Sequence, residues 1–174
     1  KNTIDDTSPG TGTKDSPFSS FVTALNTVSD GGTIYIIGNA DINSNEGIEG
    51  ANGETLPFVI NKSVTIEGAD GNMASLSTRT AGFILGADVT FKNIKFGLAN
   101  PARNAIFANG HRLELINCGK DGDDNSGGRE VNVFAGGVPN SSATTGDSSE
   151  IIINGTCSSY DSIYGGSMDT SFNK

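Results

Sequence analysis

Basic residues are scarce in this chain. Eleven Lys and Arg stand against twenty Asp and Glu, a formal net charge of −9, so a nucleic acid or an anionic membrane is an electrostatically disfavoured partner. Apolar residues are also few, 34% of 174, which is lean for a helical bundle. No stretch approaches the length of a bilayer-spanning helix, so no transmembrane segment is expected. The N-terminus has neither the basic nor the apolar region of a signal peptide. It starts at Lys1 rather than Met, and the chain is expected to be a mature or recombinant piece. Histidine occurs once, as His111, and cysteine twice, as Cys118 and Cys157, too few to assign a redox compartment. Nothing at this length marks a second domain.

Glycine, by contrast, supplies 24 positions, and Asn, Ser and Thr are frequent. That composition suits short strands joined by many turns, because Gly and Asn take the positive φ angles that tight corners need. A short phrase recurs: two clipped apolar strands around a Gly or Asn turn. It reads Phe58-Val59-Ile60-Asn61 then Val64-Thr65-Ile66, Phe83-Ile84-Leu85-Gly86 then Val89-Thr90-Phe91, and Ile106-Phe107-Ala108-Asn109 then Leu113-Glu114-Leu115. Looser copies follow, with Val133-Phe134-Ala135-Gly136 and Ile151-Ile152-Ile153, then Ile163-Tyr164-Gly165-Gly166. The second strands begin at 64, 89 and 113, a step of about 25 residues, in the range of stacked repeats. One repeat cannot bury its own apolar side chains, whereas a stack shares a continuous core. The expected fold is therefore all-β, a parallel β-helix solenoid.

Alternation assigns faces. Val64, Ile66, Val89, Phe91, Leu113 and Leu115 point inward, with Thr65, Thr90 and Glu114 outward. If Phe58, Ile60, Phe83, Leu85, Ile106 and Ala108 also point inward, then Val59, Ile84, Phe107, Phe134 and Tyr164 form an apolar column on the other side. Such a column is either covered or exposed as a stacking surface, and Phe107, Phe134 and Tyr164 are the candidate ligand-binding residues because sugar faces pack on aromatic rings. Cys118 and Cys157 each follow the second strand of successive repeats, one residue out of step. Adjacent coils lie about 4.8 Å apart, within the Cα range of a disulfide, so the pair reads either as a disulfide or as two buried thiols.

Residues 1–15 read as a polar tether or arm, and residues 16–174 as the β-helix domain. Within it, residues 16–29 form an amphipathic capping helix, with Ser16 as cap and Pro17 in its first turn, and coils start from residue 33. The segments Asn39 to Glu54, Asp70 to Thr80, Gly119 to Arg129 and Pro139 to Ser149 read as polar insertions, where a solenoid carries its function. The last phrase has no second strand after it, so the domain is expected to be truncated at its C-terminus.

The run Gly10-Thr11-Gly12-Thr13-Lys14-Asp15-Ser16-Pro17-Phe18, the helix to Val28, and Asp30-Gly31-Gly32-Thr33-Ile34-Tyr35 resemble the N-terminal entry of right-handed parallel β-helix proteins of the pectin lyase-like superfamily. The Val133-Phe134-Ala135-Gly136-Gly137 and Ile163-Tyr164-Gly165-Gly166 phrases resemble adhesin-like surface proteins of Gram-positive gut and oral bacteria. The resemblance covers the chain from about residue 10 onward. It implies a right-handed winding and an extracellular or cell-surface location. It does not imply a reaction, since the superfamily holds polysaccharide lyases, hydrolases and esterases as well as non-catalytic adhesins.

A lyase of this superfamily uses carboxylate-held calcium with an Arg or Lys base. The dense carboxylate group here is Asp121, Asp123 and Asp124, with Asn125 alongside, a candidate calcium site without the Gly and terminal Glu of an EF-hand loop. Lys92, Lys95, Arg103 and Arg112 are present, but no two bases and two acids are expected in register on adjacent strands, and no acid pair is expected at matching positions of neighbouring coils, where Glu114 stands alone. A hydrolase needs clustered Asp with a nearby His. His111 follows the Asn109-Gly110 turn and reads as a solvent-facing corner residue. Gly31-Gly32 and Gly136-Gly137 do not match a phosphate loop. No catalytic residues are assigned. The expected function is a non-catalytic surface domain acting as a stalk or presenting loops to glycans or host surface proteins. The alternative is the N-terminal part of a carbohydrate-active β-helix enzyme, either polysaccharide lyase or glycoside hydrolase.

Overall fold

The computed structural model describes residues 10–42, 57–78, 82–98, 105–121, 131–137, 149–157 and 160–166. One helix, α1 (Phe21–Thr27), precedes fourteen strands. They are β1 (Thr33–Ile36), β2 (Asn39–Ile42), β3 (Phe58–Ile60), β4 (Val64–Gly68), β5 (Ala74–Thr78), β6 (Gly82–Leu85) and β7 (Val89–Lys92). There follow β8 (Ile94–Leu98), β9 (Ala105–Phe107), β10 (Arg112–Ile116), β11 (Gly119–Lys120), β12 (Val131–Phe134), β13 (Glu150–Asn154) and β14 (Tyr160–Tyr164). All named pairings are parallel and build three sheets. Sheet 1 runs β1-β4-β7-β10-β13, sheet 2 β2-β5-β8-β11, and sheet 3 β3-β6-β9-β12-β14. Up to β13 the chain visits the sheets in turn, and from β13 in sheet 1 the next described strand is β14 in sheet 3, so successive strands belong to different sheets and each sheet is a stack of coils. This is a mainly β, parallel solenoid. Among the described residues no helix is long and apolar enough to cross a membrane.

Alternation sets the interior. Val64, Val89, Leu113 and Ile151 are partners across sheet 1, as are Ile66, Phe91, Leu115 and Ile153. Phe58, Phe83, Ile106, Val133 and Ile163 are partners across sheet 3. Each column buries its members except at the last described coil, where Ile153 is 38% and Ile163 51% exposed. Phenylalanines thread the interior, Phe21 to Phe58 at 6.0 Å, Phe58 to Phe83 at 6.4 Å, and Phe83 to Phe91 and Phe96 at 5.9 and 6.2 Å.

Sequence reasoning saw two strands per repeat. The structure has a third, because β2, β5 and β11 lie in or at the edge of segments read as polar insertions and β8 was not recognised. In β5, Ala74, Leu76 and Thr78 face inward, while Ser75 and Ser77 alternate with them. Such a strand contributes few large apolar residues to the pattern.

The corner from sheet 1 to sheet 2 needs a left-handed residue to reverse the chain so tightly. Gly38 (φ 76°), Asn93 (φ 55°) and Asn117 (φ 51°) supply it in three coils and Asp70 (φ 55°) with Gly71 (φ 73°) in a fourth, while Gly155 (φ 71°) stands at the equivalent place after β13. Asn is the side-chain-bearing residue that tolerates this region best. Asn117 Nδ2 donates to Asn93 Oδ1 at 3.2 Å, and Asn117 Oδ1 accepts from the Thr156 amide at 2.9 Å. The next corner holds Gly155 because a Cβ there would sit 2.1 Å from Asn117 Oδ1.

The capping helix is shorter than the expected 16–29. Ser16 closes a turn with Thr13 and its hydroxyl accepts from the Thr11 amide, so Ser20 serves as N-cap, accepting from the Thr23 amide at 3.2 Å. Phe21 and Leu25 bury against the first coils. At the other end Lys62 Nζ donates to the Asn26 and Val28 carbonyls, both at 2.8 Å, placing a cation on the negative end of the helix.

Phe83 touches three other core rings and is fully buried. Phe83→Ala should lower unfolding free energy by about 3–5 kcal/mol in urea denaturation. A loss under about 1 kcal/mol would mean that the ring is not interior.

Candidate functional site

Two outer faces carry chemistry. The first is the outside of sheet 1. Thr33, Thr65, Thr90 and Glu114 are partners coil over coil, as are Tyr35, Glu67 and Lys92. Parallel, in-register strands put side chains directly above one another, so like charges there would repel. The chain alternates them. Lys92 Nζ lies 2.8 Å from Glu67 Oε1. Arg112 meets Glu114 at 3.0 Å within its own strand and Glu150, its register partner in β13, at 3.2 Å. Glu114 also accepts from Thr90 Oγ1 at 3.4 Å and from Asn154 Nδ2 at 3.1 Å. These are single base–acid pairs, Glu67 with Lys92 and Arg112 with Glu150, each in its own register row. The register partners of Glu114 are Thr90 and Ile152, so no second acid stands beside it in register, although its carboxylate is bonded to Arg112, Thr90 and Asn154. The Arg112 and Glu150 pairing spans the insertion before Ser149, which hides the register from a reading of fixed repeat length.

The second face is the outside of sheet 3. Val59, Ile84, Phe107, Phe134 and Tyr164 are partners in that order. Phe107 and Phe134 stack with centroids 5.1 Å apart and planes 16° apart, and Phe134 and Tyr164 at 4.5 Å and 8°. The rings are nearly parallel because successive strands present the same side-chain direction at about one strand spacing. With Ala105 and Ile84 they form an apolar cluster separate from the interior. Phe107 and Phe134 are 1% and 6% exposed, whereas Tyr164, at the end of the column, is half-buried. A ring-stacking ligand would therefore meet Tyr164 before the other two.

The remaining sequence-derived candidates fall elsewhere. Asp121 follows β11 and its carboxylate accepts a hydrogen bond from the Ser75 hydroxyl, two coils away in sheet 2. Asp123 and Asp124, the rest of the calcium candidate, lie outside the described residues, as do Arg103 and Asn125. No group of three or more His, Cys, Asp or Glu gathers among the described residues. His111 sits at the β9 to β10 corner, its Nδ1 4.0 Å from Asp88 Oδ1, while that carboxylate accepts from the Arg112 amide at 2.9 Å. At the same corner Asn109 donates from Nδ2 to the Leu85 carbonyl at 2.9 Å and leaves Oδ1 buried without a partner. Cys118 and Cys157 are free thiols, one buried and one half-buried. Burial pushes the Cys118 thiol up to about 12, with the neighbouring Cys157 adding to it against the Ile94 and Ile116 backbone contacts.

Comparisons with protein-family models, curated proteins and solved structures each return no match.

On the sheet 1 face, the hydrogen bond and charge of Glu67 hold the Lys92 ammonium above the usual lysine value of 10.5. A raised folded-state pKa stabilises the fold below the unfolded value, and that contribution fades as pH climbs through the folded one. An NMR titration of Lys92 should therefore end above 10.5, and Glu67→Gln should bring the midpoint down. An identical midpoint in both proteins would show that the contact is absent in solution.

Proposed function

We propose that the chain is a non-catalytic domain of a surface-displayed, adhesin-like β-helix. The stack is the scaffold, and the connections that enter and leave sheet 3 make the contacts with glycans or host surface proteins. The observation that carries this reading is where chain length varies. Between sheets 1 and 2 the corners are closed by short segments: 37–38, Asn93 alone, 117–118, and at most 69–73. Connections into sheet 3 run over 43–57, 79–81, 99–104, 121–130 and 155–159, and those out of it over 61–63, 86–88, 108–111 and 135–149. Variable segments anchored on one face of a regular stack are the arrangement by which solenoids build binding surfaces. They flank the aromatic column whose Tyr164 end is half-buried, which favours a sugar face as one ligand class. The winding belongs to the same proposal. Parallel crossovers are right-handed in nearly every known case, which supports a right-handed β-helix, and the display function supports an extracellular or cell-surface location.

A glycan array, run with and without calcium beside a polysaccharide-degradation assay, tests the reading. Binding without release of unsaturated or reducing-end sugars is expected. Tyr164→Ala, or replacement of residues 138–148 by a Gly-Ser linker, should weaken that binding at least about tenfold with far-UV circular dichroism unchanged, the loss of about 1.4 kcal/mol. Release of sugar products would overturn the non-catalytic reading, and binding indifferent to both changes would move the contact surface away from sheet 3.

A further inference from the structure

We propose that Cys118 and Cys157 are a covalent modification site, a reversible disulfide that staples one coil to the next. The two residues close equivalent corners in successive coils. Cys118 directly follows the left-handed Asn117, whereas Cys157 follows Gly155-Thr156, one residue more. The sequence offset between them is thus absorbed in the corner. Asn117 N–H donates to the Asn154 carbonyl at 3.1 Å and Thr156 N–H to Asn117 Oδ1 at 2.9 Å, which brings the chain back into step at the cysteines. The Cys118 amide then points at Cys157 Sγ, 3.3 Å away. Cys157 Sγ lies 3.6 Å from the Leu115 carbonyl oxygen, and Cys118 Sγ 3.4 Å from that of Ile116 and 3.3 Å from that of Phe91 in β7, so both sulfurs reach the end of β10. Coils stacked at about 4.8 Å bring paired Cα atoms within the range a disulfide spans.

Exposure sets the order of events. Cys157, the half-buried thiol, is the one that an oxidant reaches. Its thiolate attacks one sulfur of a small disulfide such as oxidised glutathione. The glutathione S–S bond breaks, one glutathione leaves as thiolate, and a mixed disulfide remains on Cys157. Cys118 then gives its proton to solvent and attacks Cys157 Sγ, expelling the second glutathione. Two protein thiols are oxidised, one small disulfide is reduced to two thiols, and the released protons go to the departing thiolates. Because the Cys118 thiol is held near 12 by burial, its thiolate is rare at neutral pH. The closing step should therefore speed up about tenfold per pH unit as that fraction grows. The bond closes a ring over residues 119–156, which contains both the acidic and the Ser/Thr-rich segments.

The test uses the full, pre-reduced chain with oxidised glutathione between pH 7 and 10, quenched with an alkylating agent. Tryptic peptides 113–120 and 130–174 should appear joined in a non-reducing map, with no glutathione retained and both thiols blocked from alkylation. Tm should rise by roughly 5–15 °C and fall back with dithiothreitol. Cys157→Ser, altered at the half-buried position so that the interior is left intact, should show neither the joined peptides nor the shift. A stable glutathione adduct on Cys157 with Cys118 still alkylable after unfolding would overturn the proposal, and so would a disulfide formed only between two molecules.

Discussion

Every strand of this protein depends on hydrogen bonds to the coil above and the coil below, so the register between coils is the constraint from which the rest follows. A slip of one residue would turn each strand's inward set outward. The corners that prevent it follow the strands of sheet 1 and turn on left-handed residues: Gly38, Asn93 and Asn117 within one or two positions, Asp70 and Gly71 after β4, and Gly155 after β13. Asn117 serves twice, donating from Nδ2 to Asn93 Oδ1 below and accepting at Oδ1 from the Thr156 amide above. Long connections elsewhere are tolerated because closing a longer flexible loop adds only slowly to the entropic cost. The β12 to β13 connection over residues 135–149 shows this, since Leu113 still meets Ile151 beyond it.

Register also decides what may stand above what. Stacking like on like favours apolar and aromatic columns and penalises charged ones. The phenylalanines inside and the column of Phe107, Phe134 and Tyr164 outside exploit the first effect. The outside of sheet 1 answers the second by opposing signs, Glu67 under Lys92 and Arg112 beside Glu150. These pairs are partly exposed and screened by solvent, so each contributes little to stability and acts mainly against misregister. The Lys14 and Asp70 pair, open to solvent on both sides, contributes less still.

Sheets 1 and 3 could be read from the chain because Val64-Thr65-Ile66, Val89-Thr90-Phe91 and their partners combine strong alternation with large apolar side chains. Sheet 2 could not. Ala74-Ser75-Leu76-Ser77-Thr78 hides one Leu among small polar residues, and β11 is two residues long, Gly119 and Lys120. The start of α1 was misplaced because Ser16-Pro17 looks like a cap in isolation, whereas its tertiary setting makes it the end of a turn. The aromatic column could be predicted from spacing, but its burial could not, because what a side chain meets on an outer face is decided outside its own repeat. The Glu114 network was missed for a related reason. Its partners lie 24 and 40 positions away, and the second separation includes an insertion that no repeat length anticipates.

The two ends of the described stack differ, and that difference bears on where the molecule is pliable. At the first coil α1 covers the interior with Phe21 and Leu25, and Lys62 ties its last carbonyls to the corner below. At the last described coil Ile153 and Ile163 close their columns with large exposed fractions. In a linear stack each coil draws its stability from its neighbours, so a coil packed on one described side holds on through fewer contacts than one packed on both. The outer coil meets β10 along the β13 ladder and again at the corner between Asn154 and Cys157, through Asn117 and the amide of Cys118.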